Sequence, residues 1–418
     1  IPQTEHADGE ANQMINVAIL GFGTVGGGVA ELLEANRDRV AQAAGDRVQV
    51  KHILVRRDLP GSRYAELMTR DVGTILNDPE VSVVCEAMGG LDPALPYVRS
   101  ALEHGKSVAT SNKELIDAHG PELAAIARAH GLSLLFEGSV AGGIPILSTI
   151  RDACAHERFD SAVGILNGTC NYILTRMERE GLSLAEALRQ AQENGYAERN
   201  PDADVQGHDT ARKLAILASL LSGTRVSSAQ VPCEGIMGLE AADLRLARAL
   251  RCSLKLLGVC RLGPAGLSLR TAPYLVPAAS PLYGVSDVYN GVLLHGSTLG
   301  DLTLCGRGAG RFPTASAVVS DVVQCARSRG RTVECGLTGR DAKLADASAA
   351  EVRNLVRVAP SEASLAREVF AGAEEVTLDG DPQDFAFVTR PMTERRCSEA
   401  LATLSTLRSR IRLLEAGA

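Results

Sequence analysis

Apolar and polar residues alternate along the first third of the chain with two different periods. Short apolar runs such as INVAIL, VQVKHILV, VSVVCEAMG, KSVAT and LSLLFE take turns with segments of helical spacing, among them VAELLEANRDRVAQAA, PYVRSALEHG and PELAAIARAHG. Gly105 and Gly131 are expected to end the last two helices. Strands and helices that alternate in this way form right-handed βαβ crossovers. The pattern therefore predicts a doubly wound α/β domain whose parallel sheet is covered on both faces and begins near Met14.

The pattern changes after about Ile146. Long helices with fewer strands follow, and Ser183 with Glu186 forms a capping box at the start of one of them. This region predicts a second domain of α+β type. From Glu351 the order becomes strand, helix, strand, strand, helix, strand, over RNLVRVA, SLAREVF, EEVTLDG, FAFVTR, SEALATLSTL and RIRLLEA. That order is the ferredoxin-like split βαβ arrangement.

Composition narrows the class of protein. The 43 Lys and Arg residues against 50 Asp and Glu residues lack the basic surplus that nucleic-acid binding needs, so no nucleic-acid partner is expected. The ten cysteines contain no C-x-x-C pair and are interpreted as reduced core residues of a cytoplasmic protein. No signal sequence and no apolar run of about 18 residues is present, so no membrane partner is expected. The polar residues 1–13 are interpreted as a disordered extension or a remnant of expression.

The segment INVAILGFGTVGGGVAELL places three glycines as G-x-G-x-x-G between a strand and a helix. Gly21 permits the tight turn, Gly23 lets a pyrophosphate approach the backbone, and Gly26 lets the helix pack closely on the strand. The N-terminus of the helix then faces the anion. This arrangement predicts dinucleotide binding in a Rossmann-type domain; a purely structural turn is the alternative.

The end of the second strand bears on which dinucleotide is bound. The run HILVRRD presents Arg56 and Arg57, whereas an NAD site usually carries an acid for the ribose 2′-hydroxyl. Guanidinium groups suit a 2′-phosphate, so NADP is favoured. Alternatively, both arginines are solvated and Asp58 binds the ribose, in which case NAD is also used.

The segment GYAERNPDADVQGHDTARKLAIL concentrates charge at the start of an apolar helix. Asp209 and Lys213 lie one turn apart on the face that continues inward, so Lys213 is expected to be partly desolvated. A positioned ammonium can give a proton to a developing alkoxide, and Glu198 and Asp204 could bind a substrate ammonium. The alternative is an ordinary surface ion pair. His208 is interpreted as incidental.

Two further segments carry candidate chemistry. VATSNKELI places Lys113 at the carboxyl edge of the sheet, where doubly wound folds bind ligands; a solvated lysine at a helix start is the alternative. FEGSVAGGIPIL has glycines, which leave the backbone carbonyls next to Glu137 accessible. Oxygen ligands of this kind suit a hard cation. A hinge between domains explains these glycines equally well.

Six motifs in a fixed order carry a resemblance to a known family. They are GFGTVG, SNK, EGSVAGGIP, GILNGTCNYIL, GYAERNPDADVQGHDTARKLAIL and GRGAGRFPTASAVVSD. The chain resembles the homoserine dehydrogenases from about Ile15 to Asp321, in the monofunctional form with a C-terminal ACT-type regulatory domain; a form fused to an N-terminal aspartokinase is not expected. The resemblance implies reversible NAD(P)-dependent reduction of L-aspartate 4-semialdehyde to L-homoserine, in threonine, methionine and isoleucine biosynthesis.

The resemblance also implies roles for individual residues. Lys213 would donate a proton to the carbonyl oxygen, and Lys113 would be a second active-site lysine near the nicotinamide. The residues at the amino-acid substrate would be Glu198, Asp209, Asp204 and Gly195. Those at the cofactor would be Gly21, Phe22, Gly23, Thr24, Val25, Gly26, Arg56, Lys113 and Gly310. A sodium-like cation would be held by the Glu137 carboxylate and by the carbonyls of Val140, Gly142 and Ile144.

The resemblance implies three domains. Residues 14–146 with 306–345 would bind the dinucleotide, residues 147–305 would bind substrate and form a homodimer or a dimer of dimers, and residues 346–418 would form the ACT-like domain. The run APSEASLAREVF lacks the usual effector-binding turn, so threonine sensing is not expected. Two alternatives remain open: another two-domain NAD(P) oxidoreductase, although those acting on sugars or inositols typically show E-K-P instead of S-N-K, and a non-catalytic nucleotide-sensing regulator.

Overall fold

The computed structural model describes residues 14–329, 331–377 and 383–415. The interpretation of residues 1–13 falls outside this range, as do parts of the predicted strands EEVTLDG and RIRLLEA. The described strands are β1 (Ile15–Leu20), β2 (Val48–Leu54), β3 (Met68–Thr69), β4 (Val81–Glu86), β5 (Ser107–Thr110), β6 (Leu134–Leu135), β7 (Phe159–Ile165), β8 (Cys252–Gly263), β9 (Gly266–Pro277), β10 (Tyr289–Gly296), β11 (Gly300–Arg307), β12 (Glu351–Val352), β13 (Asn354–Val358), β14 (Glu374–Val376), β15 (Phe385–Val388), β16 (Met392–Thr393) and β17 (Leu407–Leu413).

The helices complete the element list. They are α1 (Thr24–Ala35), α2 (Arg37–Ala44), α3 (Val72–Leu76), α4 (Ala94–Glu103), α5 (Lys113–Ala129), α6 (Ile146–Ser148), α7 (Gly168–Glu180), α8 (Leu184–Glu193), α9 (Asp202–Val205), α10 (His208–Ser222), α11 (Ala241–Ala249), α12 (Arg311–Arg327), α13 (Ala363–Val369) and α14 (Glu394–Leu401). Two compact units contain these elements. One comprises the chain up to Ser139 with Gly310–Cys335, and the other comprises Val140–Ala309 with the chain from Gly336.

The first unit is built on a six-stranded parallel sheet in the order β3-β2-β1-β4-β5-β6. Helices α1, α2 and α12 share a core with this sheet, while α4 and α5 pack on each other, α4 also on β5 and α5 also on β6. The order is the doubly wound one, so the predicted Rossmann-type fold is confirmed. Helices α4 and α5 end just before Gly105 and Gly131, both at positive φ. The long helix predicted after the glycine loop is instead two helices, α1 and α2, divided at Asn36.

The second unit is built on a nine-stranded mixed sheet in the order β11-β10-β7-β8-β9-β17-β13-β15-β14. Helices α7, α8 and α11 share a core with it, and α10 packs on β8 and β9. The predicted capping box of Ser183 and Glu186 is present at the start of α8. This mixed-sheet unit confirms the predicted second α+β region.

The C-terminal strands lie in the order β17-β13-β15-β14, which is the ferredoxin-like order that the sequence predicts. Strand β17 also pairs in parallel with β9, through Arg412 and Leu413 opposite Tyr274 and Leu275. Residues of the predicted second and third domains therefore share one sheet. The division of the chain into three domains at the boundaries given above stays a prediction.

Nothing in the part of the chain that the structure describes has the length and apolar character of a membrane-spanning helix.

Candidate active site

The glycine turn between β1 and α1 is shaped by close backbone packing. Gly21 has a φ of +94°, and a Cβ there would lie 2.9 Å from the Cγ of Met88. A Cβ on Gly26 would lie 1.9 Å from the carbonyl oxygen of Gly21. Gly23 differs, because no atom lies within 4 Å of the Cβ position that it leaves empty. Two glycines are therefore required by the fold itself, and the third leaves open space where a ligand can reach the backbone.

Gly23 is the residue before α1, and no side chain caps that helix. The first backbone N–H groups of a helix have no partner within the helix and attract anions. A cavity of about 810 Å³ opens beside this turn. It is lined by Gly21, Phe22, Gly23, Leu54, Val55, Arg56, Arg57, Leu59, Arg70, Ala87, Met88, Gly89, Asp92, Pro93 and Tyr97.

Three arginines line this cavity at the end of β2 and near β3. Arg56 and Arg57 are both exposed, whereas Arg70 lies 3.9 Å from the carboxylate of Asp58. Positive side chains at this position of a doubly wound fold suit a phosphate better than a bare ribose. Both arginines are therefore exposed and line the cavity, and the preference for NADP stays a prediction.

The loop after β4, which forms another wall of the cavity, is held by a buried carboxylate. Glu86 is fully buried and accepts hydrogen bonds from the backbone N–H groups of Met88 (2.7 Å) and Gly89 (3.1 Å). The hydroxyl of Thr110 donates to its other oxygen at 2.6 Å. Sequence reasoning missed this residue, although a carboxylate that ends an apolar strand was a visible signal.

Lys113 is the first residue of α5 and follows β5 at the carboxyl edge of the sheet. The side chain of Asn112 caps this helix by accepting from the N–H of Leu115, and its amide donates to the carbonyl of Gly90 at 2.6 Å. Lys113 is partly buried. The predicted position at the sheet edge is confirmed, and its chemical role stays a prediction.

In the second unit, Lys213 and Asp209 form a buried ion pair on α10. The Nζ of Lys213 lies 2.8 Å from Oδ2 of Asp209 and donates at 2.8 Å to the carbonyl of Leu166. Lys213 is 8% exposed and Asp209 is 5% exposed. The expected desolvation of Lys213 is thus confirmed, and the alternative of an ordinary surface pair does not describe it.

Asn167 connects this pair to a second carboxylate. Its side-chain amide donates to Oδ2 of Asp209 at 2.8 Å and to Oδ1 of Asp204 at 2.7 Å. Its side-chain oxygen caps α7 by accepting from the N–H of Cys170 at 2.8 Å. Burial raises the pKa of the Cys170 thiol, which stays protonated and donates to the carbonyl of Asp204 at 3.1 Å. The carboxylates of Asp204 and Asp209 therefore both contact Asn167, and Lys213 contacts Asp209.

The remaining substrate candidates lie between α8 and α9. Gly195 has a φ of +73° and nothing within 4 Å of its Cβ position, and Glu198 is exposed. The carbonyl of Glu198 accepts from Gln192 at 3.2 Å. His208 is exposed at the start of α10. The structure thus brings Asp204, Asp209 and Lys213 together, while the roles of Gly195 and Glu198 stay predictions.

The candidate cation residues belong to two units and are described separately. In the first, Glu137 is buried and its backbone N–H donates to the carboxylate of Asp321 at 2.8 Å. In the second, Gly142 has a φ of +60°, and a Cβ there would lie 2.4 Å from the carbonyl oxygen of Gly308. Val140 and Ile144 are buried, and the carbonyl of Ile144 accepts from Ile146.

Within residues 14–329, 331–377 and 383–415, no group of three or more His, Cys, Asp and Glu residues could hold a metal ion. The predicted cation would be bound mainly by carbonyl oxygens, which is a different kind of site. The last candidate, Gly310, precedes α12 with a φ of +125° in the first unit.

Asn167 is the clearest functional candidate that sequence reasoning missed. It lies in the motif GILNGTCNYIL, where Asn-Gly after an apolar strand signals a helix cap. That signal was available from the sequence. The contacts of Asn167 with Asp204 and Asp209, which lie 37 and 42 residues further along the chain, were not.

Comparison with known proteins identifies the relatives of this chain. A family model for homoserine dehydrogenase matches residues 145–323, and a model for the NAD-binding domain of homoserine dehydrogenase matches residues 21–137. The homoserine dehydrogenase of Synechocystis sp. is 44% identical over 318 residues, which cover 74% of this chain and 72% of that one. The homoserine dehydrogenase of Bacillus subtilis is 37% identical over 329 residues, which cover 78% and 75%.

Solved structures agree with these matches. A homoserine dehydrogenase from Thiobacillus denitrificans has a TM-score of 0.88 and 32% identity, and the match covers 96% of this chain and 98% of that one. A hyperthermophilic archaeal homoserine dehydrogenase in complex with NADPH has a TM-score of 0.62 and 25% identity, and the match covers 75% and 97%.

The Rossmann-type unit, with its open glycine turn and its NAD-binding family match, defines an NAD(P)-dependent oxidoreductase. Relatives that match about three quarters of the chain at 40–44% identity are homoserine dehydrogenases. The chain belongs to the homoserine dehydrogenase family.

Proposed function

We propose that this protein catalyses the reversible NAD(P)-dependent reduction of L-aspartate 4-semialdehyde to L-homoserine, a step toward threonine, methionine and isoleucine. The observation that carries the proposal is the buried ion pair of Lys213 and Asp209, tied to Asp204 by Asn167, in a chain of this family. Such a cluster combines a proton donor with carboxylates that suit the ammonium group of an amino acid.

The residues of the first unit fit a nicotinamide dinucleotide. The empty Cβ position of Gly23 and the uncapped start of α1 suit a pyrophosphate, and the cavity beside them has room for the rest of the molecule. Gly21, Phe22, Gly23, Thr24, Val25, Gly26, Arg56, Lys113 and Gly310 would hold it. When bound, its reduced nicotinamide supplies the hydride for the carbonyl carbon.

Lys213 carries the proton chemistry of the proposed reaction. Its Nζ gives a proton to the carbonyl oxygen as that oxygen becomes an alcohol, and it takes the proton back in the reverse direction. Asp209 accepts a hydrogen bond from this ammonium at 2.8 Å and so holds it in position for the transfer. Lys113 would act as a second lysine in the active site.

Asp204, Asp209, Glu198 and Gly195 would bind the amino-acid part of the substrate. The two aspartates are held side by side by Asn167, and paired carboxylates suit an α-ammonium group. Gly195 offers an exposed backbone and Glu198 an exposed carboxylate in the adjoining segment. The substrate is therefore recognised as an amino acid and not only as an aldehyde.

We further propose NADP as the preferred cofactor, with NAD also used, because Arg56 and Arg57 line the cavity. A sodium ion held by Glu137, Val140, Gly142 and Ile144 and a homodimer or dimer of dimers follow from the family resemblance. A cytoplasmic location follows from the interpretation of the ten cysteines as reduced core residues. The ferredoxin-like order of the C-terminal strands supports an ACT-type domain.

We do not expect threonine to regulate the enzyme through that domain. The carboxylate of Glu362 accepts hydrogen bonds from the backbone N–H groups and the hydroxyls of Ser405 and Thr406. The hydroxyls and backbone N–H groups lower the pKa of Glu362 to about 2. Both carboxylate oxygens of Glu362 are thus used by the segment before β17, which supports the expected loss of threonine sensing.

Purified protein with L-homoserine and NADP⁺ tests the proposal directly. We expect NADPH formation that depends on homoserine, and NADPH consumption with L-aspartate 4-semialdehyde. L-Serine, which is one methylene shorter, is the matched control substrate and should give little turnover. If homoserine is not turned over with either NADP⁺ or NAD⁺, the proposed function is refuted.

A further inference from the structure

The asparagine at the end of β7 makes more contacts than a helix cap requires. A cap needs only an oxygen that accepts from the first turn of the helix, which the side-chain oxygen of Asn167 supplies to the N–H of Cys170. The amide nitrogen has a separate task, because its two hydrogens are directed to the carboxylates of Asp204 and Asp209. Asn167 is 4% exposed, so water cannot easily replace these bonds.

Two carboxylates that share one nitrogen as a neighbour repel each other. A donor placed between the two carboxylates offsets this repulsion and lets both groups stay close together. Lys213 contacts Asp209 directly at 2.8 Å, and for Asp204 the amide of Asn167 supplies a donor. The amide carries no charge, so it stabilises both anions without competing with an ammonium ligand.

We propose that Asn167 is a positioning residue for the amino-acid substrate, whose amide holds the carboxylates of Asp204 and Asp209 side by side where they bind the substrate ammonium. This proposal rests on the proposed function. It assigns to the motif GILNGTCNYIL a task in substrate recognition, which the capping role alone does not include.

Asn167→Asp separates the two tasks. Aspartate caps a helix as well as asparagine does, so a residue that acts only as a cap would tolerate this change. A positioning residue would not, because the replacement removes the donor and adds a third carboxylate. We expect the KM for homoserine to rise about ten- to hundred-fold, which corresponds to lost hydrogen bonds to charged groups. The Kd of NADPH should stay unchanged.

The pH profile supplies a second readout. The groups around Asn167 that titrate are Asp204 on α9, Asp209 and Lys213 on α10, and the Cys170 thiol on α7. A third carboxylate makes the acids harder to ionise. The acidic limb of kcat/KM should therefore move to higher pH in Asn167→Asp. In Asn167→Ser, which removes the amide without adding charge, KM should rise with a smaller movement of that limb.

Asn77→Asp adds the same charge at an exposed helix end of the other unit and is the matched control. Wild-type KM and an unmoved acidic limb in Asn167→Asp would overturn the proposal. Loss of the folded circular dichroism spectrum in both Asn167 variants would overturn it as well, because the amide would then hold the fold and not the substrate. Wild-type protein without homoserine turnover would instead refute the proposed function.

Discussion

A Cβ atom on Gly26 would lie 1.9 Å from the carbonyl oxygen of Gly21. No side chain fits at that distance, so α1 would have to move away from the end of β1. We expect Gly26→Ala to lower the free energy of unfolding by about 1–3 kcal/mol, the usual cost of overpacking. Urea unfolding measures this value. Gly61→Ala is the control, because nothing lies within 4 Å of its Cβ position, and equal stabilities of the two variants would contradict the prediction.

Gly23→Ala should behave differently from Gly26→Ala. Its Cβ meets no atom of the protein within 4 Å, so the melting temperature should stay close to that of the wild type. The same Cβ would occupy the space that a pyrophosphate needs. We expect the Kd of NADPH, measured by fluorescence titration, to rise at least about ten-fold, as it does when a favourable phosphate contact is lost. Unchanged NADPH binding would remove Gly23 from the cofactor site.

Arg56→Ala should change the choice of coenzyme. Loss of a charge-assisted bond to the 2′-phosphate should lower kcat/KM for NADPH about ten- to hundred-fold and leave that for NADH nearly unchanged. Arg57→Ala is the matched variant, since both side chains are exposed and line the same cavity. If only Arg57→Ala lowers kcat/KM for NADPH selectively, Arg57 is the residue that contacts the 2′-phosphate. If the ratio of kcat/KM for NADPH to that for NADH is unchanged in both variants, neither arginine contacts the 2′-phosphate.

Lys213→Met should remove the proton donor while keeping most of the side-chain volume. We expect kcat to fall about 10²- to 10⁴-fold, the usual contribution of general acid catalysis, while the Kd of NADPH stays the same. Lys343→Met removes an exposed lysine of the same unit and is the control. If Lys213→Met keeps a kcat near that of the wild type, Lys213 is not the donor.

Arg357→Leu should destabilise the C-terminal part of the second unit. Arg357 is fully buried, lies 3.0 Å from the equally buried Asp243 and also pairs with Asp384 at 2.7 Å. Burial opposes its charge, but the bonds to Asp384 and Asp243 outweigh burial and raise the pKa of Arg357. Removing the cation leaves a buried carboxylate, at a cost of about 3–5 kcal/mol.

Arg408→Leu is the control for Arg357→Leu, because it removes an arginine that pairs with the same Asp384 but is exposed. Exposed pairs contribute only about 0–1 kcal/mol. Chemical denaturation compares the two variants. Equal effects would mean that burial does not decide the strength of these pairs.

The local features of the fold could be predicted from the sequence. The spacing of Gly21, Gly23 and Gly26, the capping box at Ser183 and the glycines that end α4 and α5 all lie where the pattern places them. Each depends on backbone conformation within a few residues. The division of the first long helix at Asn36 was missed, because nothing in the apolar spacing of that segment marks a break.

Only part of the candidate site could be predicted from the sequence. Asp209 and Lys213 could be paired from the sequence because helical spacing puts them on one face. The same spacing predicted that Lys213 is partly desolvated, with a surface ion pair as the alternative. The contact of Lys213 with the carbonyl of Leu166, 47 residues earlier in the chain, could not be predicted. The same holds for Asn167, whose two carboxylate partners come from two other helices.

The sequence by itself determined the alternation of strands and helices, the glycine turn and the acids at the start of α10, because local sterics and periodicity fix these features. The family resemblance already implied that residues 306–345, which contain α12, return to the first domain. Only the tertiary structure decided that β17 lies beside β9 and that Asn167 contacts Asp204 and Asp209. Such contacts join distant segments. Their free energy comes from burial and from hydrogen bonds that exist only after the chain has folded, so no local sequence pattern predicts them.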